Sequence, residues 1–147
     1  RLARQLRSTL IALDRAYLWH VHKPLDEPAM QQAATHLIGS HDFSSFEGTL
    51  TDNEDPICHL RQLSIEKRGD IMTIHAYADR FLKHMVRAIV GTLVEVGHGK
   101  RAPEALAAII DAKDRTSAGR TAPPHGLFLV RVDYDNDHLT ALHPQLA

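Results

Sequence analysis

Residues 57–77 read ICHLRQLSIEKRGDIMTIHAY, and residues 81–96 read FLKHMVRAIVGTLVEV. These two stretches decide the fold class. In the first, apolar and polar residues alternate, the period of a half-buried strand. The alternation predicts one strand over Ile57 to Lys67, with Ile57, His59, Arg61, Leu63 and Ile65 on one face. It predicts a second over Ile71 to Tyr77, with Met72, Ile74 and Ala76 opposite Ile71, Thr73, His75 and Tyr77. Arg68-Gly69-Asp70 between them is a turn signal, so the pair reads as an antiparallel hairpin. The second stretch is apolar nearly all round, which predicts a largely buried helix over Phe81 to Val96, ended by Gly97.

Working outward, Tyr17 to His22 alternates and reads as a strand, closed by Lys23-Pro24-Leu25. Asp26 is placed as an N-cap with Pro28 in the first turn. The helix it opens should run to about Ile38, with Met30, Ala33, Ala34, Leu37 and Ile38 as its stripe, and stop at Gly39. His41 to Pro56 has little periodicity and reads as a long loop. Pro103 opens another helix bearing Leu106, Ile109 and Ile110. Asp114 to Pro124 reads as a loop, and Leu127 to Tyr134 as a last strand. The order β-α-β-β-α-α-β predicts an α+β fold, a mostly antiparallel sheet with helices packed on one face. Residues 17–134 form the expected domain, between an N-terminal segment (1–16) and a polar tail (135–147).

The 147 residues suit one compact domain, and 44 % apolar with 24 % charged residues is ordinary for a globular protein. No apolar run reaches the roughly 20 residues of a membrane span. Cys58 is the only cysteine, so no internal disulfide can form and a reducing compartment is the default. The net charge of −1 conceals an asymmetry: Arg80 to Arg120 holds eight Lys/Arg against four acids, a local balance of +4. Such a stretch suits a polyanion-binding face, but also ordinary surface patterning. The chain starts at Arg1 rather than Met, and Arg1 to Arg7 is basic and acid-free. It reads as the interior of a longer protein or as a divergent start.

The expected central helix carries one narrow polar stripe: Arg80, His84, Arg87, Gly91 and Glu95, at helical spacing. Arg87 lies amid Met85, Val86, Ala88 and Ile89. A charge there needs a partner or a polar cleft, because an unpaired buried charge costs on the order of 3–5 kcal/mol. Its partner could be an acid of this domain or a group in a functional cleft, and the residues alone leave both open. Gly91, one turn on, would let backbone or ligand approach closely. Eleven histidines invite a metal reading. His20 and His22 share a strand face, yet no second pair at zinc spacing and no HExxH accompanies them. Ser44 and Ser45 near His41 lack a nucleophile elbow, and turn or capping roles suit them better. Gly97-His98-Gly99-Lys100 follows a helix rather than a strand, so a helix C-cap explains it better than a phosphate loop.

Three blocks carry a family resemblance. Leu37 to Phe46 reads L-I-G-S-H-D-F-S-S-F. Phe81 to Leu93 reads F-L-K-H-M-V-R-A-I-V-G-T-L and continues to Val96-Gly97. Asp114-Arg115, Ala118-Gly119-Arg120-Thr121-Ala122-Pro123, Gly126-Leu127-Phe128-Leu129 and Val132-Asp133-Tyr134 form the third. In this order and spacing they resemble the C-terminal portion of the tRNA pseudouridine synthase A family, over about Tyr17 to Tyr134.

The resemblance implies an isomerase that converts uridine to pseudouridine in the tRNA anticodon stem-loop, without metal or organic cofactor. It implies a cytoplasmic, typically homodimeric enzyme that is not membrane-bound. An aspartate is the family's covalent catalyst, and the target nucleotide leaves its stack to reach it. Arg87 matches the family arginine that pairs with that aspartate and keeps it ionised. Phe81 and Leu127 match apolar positions near the substrate pocket, with core packing an equal reading, and His84 of the polar stripe is placed with the same substrate-binding set. His41, Asp42 and Phe43 match a loop that shapes the RNA-facing wall. Arg115 matches a family arginine, placed here with the substrate-binding set but without an assigned task. One departure is large. The family's catalytic G-R-T-D-x-G-V-H-A motif has no counterpart here. Gly119-Arg120-Thr121-Ala122 has alanine where the aspartate would stand, inside the closing segment. Nor is the family's substrate-stacking tyrosine found in Arg1 to Asp14. The chain alone is therefore expected to lack isomerase activity. Two other classes compete: a non-catalytic RNA-binding or dimerisation module, and a hydrolase built on His41 and Ser44.

Overall fold

The computed structural model describes residues 19–21, 23–48, 55–69 and 71–124. Among them the chain forms α1 (Glu27–Thr35), β1 (Gly39–Asp42), β2 (Ile57–Arg68), β3 (Ile71–Ala78), α2 (Met85–Gly97) and α3 (Ala105–Ala112). Two short 3-10 turns, Ser44–Phe46 and Arg115–Ser117, lie in the connections. The sheet is antiparallel throughout, in the order β1-β2-β3. The expected α+β class holds.

Each element follows from local chemistry. Asp26 caps α1, its Oδ1 accepting from the Ala29 amide at 3.1 Å, and Pro28 sits in the first turn. Met30, Ala33 and Ala34 are buried, as the stripe predicted. The Asp26 amide also donates to the Gly97 carbonyl at 2.9 Å, tying the start of α1 to the end of α2. Gly97 has no room for a side chain, because a Cβ there would stand 2.7 Å from the Met30 sulfur. Beyond it, Gly99 takes a φ of +79° and its amide reaches the Val96 carbonyl. That left-handed glycine ends the helix, as the C-cap reading of Gly97 to Lys100 required.

The hairpin is real, with one correction. Leu60 pairs with Ala78 but Gln62 pairs with Tyr77, so the register slips by one residue at Arg61. The bulge swaps the two faces of β2 partway along. Cys58 and Leu60 point into the core before it, and Leu63 and Ile65 after it. The five residues Ile57, His59, Arg61, Leu63 and Ile65 therefore do not share a face. Ile57, His59 and Arg61 are exposed on the outer side, where the Arg61 guanidinium lies 5.9 Å from the centre of the Tyr77 ring.

Three further boundaries move. The segment after α1 is not all loop, because Gly39–Asp42 pairs with Ile57–Leu60 as β1. Helix α2 starts at Met85, four residues later than the periodicity suggested, since His84 adopts left-handed φ 59°. Phe81, Lys83 and His84 thus lie in the approach to the helix. α1 stops at Thr35, three residues short of Ile38. Of the strand expected over Tyr17 to His22, only Trp19, His20 and Val21 are described, and they carry no strand. The expected strand over Leu127 to Tyr134, with candidate Leu127, lies outside the described residues.

One apolar core joins all layers. Met30 of α1 and Leu37 just after it, Cys58, Leu60 and Leu63 of β2, Met72 and Ile74 of β3, Ile89 and Leu93 of α2, and Leu106 of α3 belong to it, with Phe43 and Phe46 between. The helices thus cover one face of the sheet. No helix among the described residues is long and apolar enough to cross a membrane.

Candidate active-site face of helix α2

Arg87 occupies the third position of α2, half-buried and inside its first turn. Its Nε donates to the Ala122 carbonyl at 2.8 Å, and the Ala122 amide donates to the Arg87 carbonyl at 2.9 Å. Side chain and backbone of one residue therefore hold both polar groups of another. A guanidinium has five N–H donors, so among the described residues this leaves the four on its two terminal nitrogens. Among the described residues no carboxylate lies within ion-pairing reach of Arg87. The helix start adds to the positive field: its first turn has no acid and no side-chain cap. A half-buried cation at the positive end of a helix, with terminal donors left over, is a setting for an incoming carboxylate or phosphate.

The segment that holds Arg87 is the closing block, Asp114 to Ala122, laid along α2 as a strap. Three residues of α2, within a little over one turn, receive it. At Gly91 an ideal Cβ would stand 1.6 Å from the Arg120 carbonyl oxygen, so only glycine fits. Thr92 Oγ1 accepts from the Gly119 amide at 2.8 Å. Glu95 pairs with Arg101 at 3.0 Å, and Arg101 Nη1 donates to the Ser117 carbonyl at 2.9 Å. Gly119 answers Gly91 from the other side: a Cβ on it would meet Glu95 Oε2 at 2.0 Å. The G-R-T-A sequence that imitates the catalytic motif is thus part of this strap.

Arg115 closes the strap on itself. Its Nη1 donates to the Gly119 carbonyl and its Nη2 to Thr121 Oγ1, each at 2.8 Å. Burial pushes its pKa down from the ordinary arginine value, and Glu95 opposes that shift. Asp114 begins the strap by accepting from the amide and hydroxyl of Thr116, which holds its carboxyl below the usual range.

The other expected site residues are placed as follows. His41 lies on β1, its Nε2 donating to the Ile38 carbonyl at 2.8 Å and its ring edge-on to Phe43 at 5.8 Å. Asp42 Oδ1 accepts from the Ser44 amide at 2.9 Å and from its hydroxyl. Phe43 is fully buried. The dyad needed for a hydrolase is not formed, since Ser44 binds Asp42 and His41 binds backbone. Ser45 is buried and bridges two segments: its hydroxyl donates to the Ile109 carbonyl at 2.6 Å and accepts from the Asp114 amide at 2.9 Å. Phe81 is 40 % exposed, unusual for a phenylalanine beside a core. His84 packs against Gly48, where a Cβ would come 2.8 Å from its Nδ1, and the Gly48 amide donates to the Lys83 carbonyl. Arg80 leaves the α2 stripe and donates to the carbonyls of Asp55 and Ile57. Among the described residues no group of three His, Cys, Asp or Glu side chains is arranged to hold a metal ion.

The profile of the tRNA pseudouridine synthase family matches residues 33–135 of this sequence. The chain belongs to this family. It is 44 % identical over 131 residues to tRNA pseudouridine synthase A of Acidiphilium cryptum, covering 89 % of this chain and 51 % of that protein. It is 51 % identical over 118 residues to tRNA pseudouridine synthase A of Brevibacillus brevis, covering 80 % of this chain and 48 % of the relative. The same-named protein of Halalkalibacterium halodurans is 44 % identical over 125 residues, 85 % of this chain and 48 % of that one. The chain therefore spans about half the length of the curated relatives it matches. As a family member, it presents Arg87 and the strap as the candidate active-site face. What sequence reasoning missed is the strap's backbone. Ala122 has no polar side chain, and its part is played by its amide and carbonyl alone.

Proposed function

We propose that this chain is the arginine-bearing half of a tRNA pseudouridine synthase. The observation that carries the reading is Arg87: half-buried, anchored through Nε, and without a carboxylate among the described residues. An aspartate from a G-R-T-D motif outside these 147 residues completes the site. It meets the two terminal nitrogens of Arg87, which lower its pKa and fix its plane. The reaction is isomerisation of uridine in tRNA, in the anticodon stem-loop. The bond from ribose C1′ to base N1 breaks, the base turns, and a bond from C1′ to C5 forms. The C5 proton leaves and N1 is protonated, so no oxidant or cofactor is consumed. Arg87 is not one of the groups that exchange a proton in these steps. It acts by holding the carboxylate ionised and oriented. The enzyme works in the cytoplasm as a homodimer.

The experiment is pseudouridine mapping on unmodified tRNA. The chain alone should leave uridines unchanged, while the full-length protein of its reading frame should modify the anticodon stem-loop. Arg87→Ala in that protein should abolish turnover and keep tRNA affinity within about threefold, because the interaction it removes belongs to the transition state. Unchanged turnover in the variant would remove Arg87 from the site. If neither protein modifies tRNA but both bind it, the chain is a non-catalytic RNA-binding module.

A further inference from the structure

Arg87 is held by Ala122, so whatever holds Ala122 sets the direction of the guanidinium. Ala122 is preceded by Gly119, Arg120 and Thr121. Two of these three residues, Gly119 and Thr121, receive donors from one side chain, Arg115. We propose that Arg115 is a positioning residue for Arg87, acting through the backbone of the strap, a role that rests on Arg87 being the partner of the reacting carboxylate.

The geometry supports that direction of action. The two terminal nitrogens of Arg115 reach acceptors two residues apart in the chain, and both distances are 2.8 Å. A planar fork that grips a carbonyl and a hydroxyl at once fixes the curl between them better than one point charge can. The next residue after that curl is Ala122, whose amide and carbonyl both bond to Arg87. The other anchors act elsewhere. Thr92 meets the strap at Gly119, and Arg101 meets it at Ser117. Gly91 only makes room for the Arg120 carbonyl. Arg115 alone among these side chains spans Gly119 to Thr121, the link between the anchored part of the strap and the carbonyl that orients Arg87. Two of its donors are engaged inside the chain, which favours a positioning task over direct grip on RNA.

The test uses the full-length protein with Arg115→Ala, Arg115→Lys and Thr121→Val, and Arg87→Ala as reference. Two quantities are read: kcat and KM on unmodified tRNA, and the hydrogen-exchange rate of the Arg87 Nε–H by nitrogen NMR. Arg115→Ala should lower kcat about 10- to 100-fold, the scale of a misplaced group near the chemistry. KM should stay within about threefold, since no substrate contact is lost. The Arg87 Nε–H should exchange faster. Arg115→Lys, which can serve one acceptor but not both, should recover part of kcat. Thr121→Val removes one acceptor and should lower kcat less. If Arg115→Ala does not fold, the lysine and valine variants carry the same comparison. Unchanged kcat, or a raised KM with kcat intact, overturns the proposal, the latter because it would put Arg115 on the RNA. Should Arg87→Ala keep full turnover, the reading beneath fails instead. The exchange rate then still decides whether Arg115 orients Arg87.

Discussion

Gly91 is the residue on which the site's close packing depends. Its missing Cβ leaves space that the Arg120 carbonyl occupies, and that neighbour is backbone, which cannot swing aside. Gly91→Ala must therefore lift the strap off α2 or unwind the helix locally. Overpacking of this kind costs about 1–3 kcal/mol, and the displaced Ala122 takes the Arg87 anchor with it. We expect a lowered urea midpoint together with a loss of turnover in the full-length protein. An alanine variant of wild-type stability and activity would show that the strap does not lie along α2 as described. Glycine at this position was legible in the sequence as a place of close approach. The identity of what approaches was not, because a backbone carbonyl 29 residues away leaves no mark in local periodicity.

At the scale of elements, the strap and the Ser44–Phe46 turn are joined by one hydroxyl. Ser45 Oγ satisfies both the Ile109 carbonyl near the end of α3 and the Asp114 amide that opens the strap. Ser45→Ala leaves two polar backbone groups in or beside the core without that partner. The expected loss is about 1–3 kcal/mol by urea denaturation, more than a surface serine would show. A loss of a few tenths would mean that water replaces the hydroxyl. Asp114 adds a pH dependence. Its folded pKa is depressed by the Thr116 amide and hydroxyl. The stability it contributes is therefore present above the ordinary carboxylate range and lost as pH falls through the folded value. Asp114→Asn should flatten the acid limb of the stability curve, read as melting temperature against pH. Periodicity found β2, β3 and the buried span of α2, because long alternating or apolar runs report one dominant face. It failed where a single residue breaks the run: the Arg61 bulge swaps the faces of β2, and left-handed His84 delays α2. It also failed at β1, whose four residues are too short to show a period. Of the candidate site, Arg87 was legible as a charge set among apolar neighbours. Its anchor, Ala122, was not, since an alanine's backbone looks the same wherever it lies.

Over the whole molecule, the basic stretch from Arg80 to Arg120 divides into two kinds of residue. Arg80, Arg87, Arg101 and Arg115 spend donors on this chain's own carbonyls, hydroxyl or carboxylate. Lys83, Lys100, Lys113 and Arg120 are exposed. A local balance of +4 therefore overstates how many cations are ready for phosphate, and an engaged guanidinium is more a building element than an electrostatic one. The distinction is measurable. Binding of a polyanion releases counterions in proportion to the phosphates neutralised, so the slope of log affinity against log salt counts contacts. Replacing Lys83, Lys100, Lys113 and Arg120 by Gln in the full-length protein should reduce that slope for tRNA by about three, near the limit for four contacts. Arg101→Gln should leave the slope unchanged. It should instead lower stability, because Glu95 and the Ser117 carbonyl lose their shared donor. The opposite pattern, a slope that moves with Arg101 and ignores the four exposed residues, would mean that the strap opens on RNA binding and its internal donors turn outward.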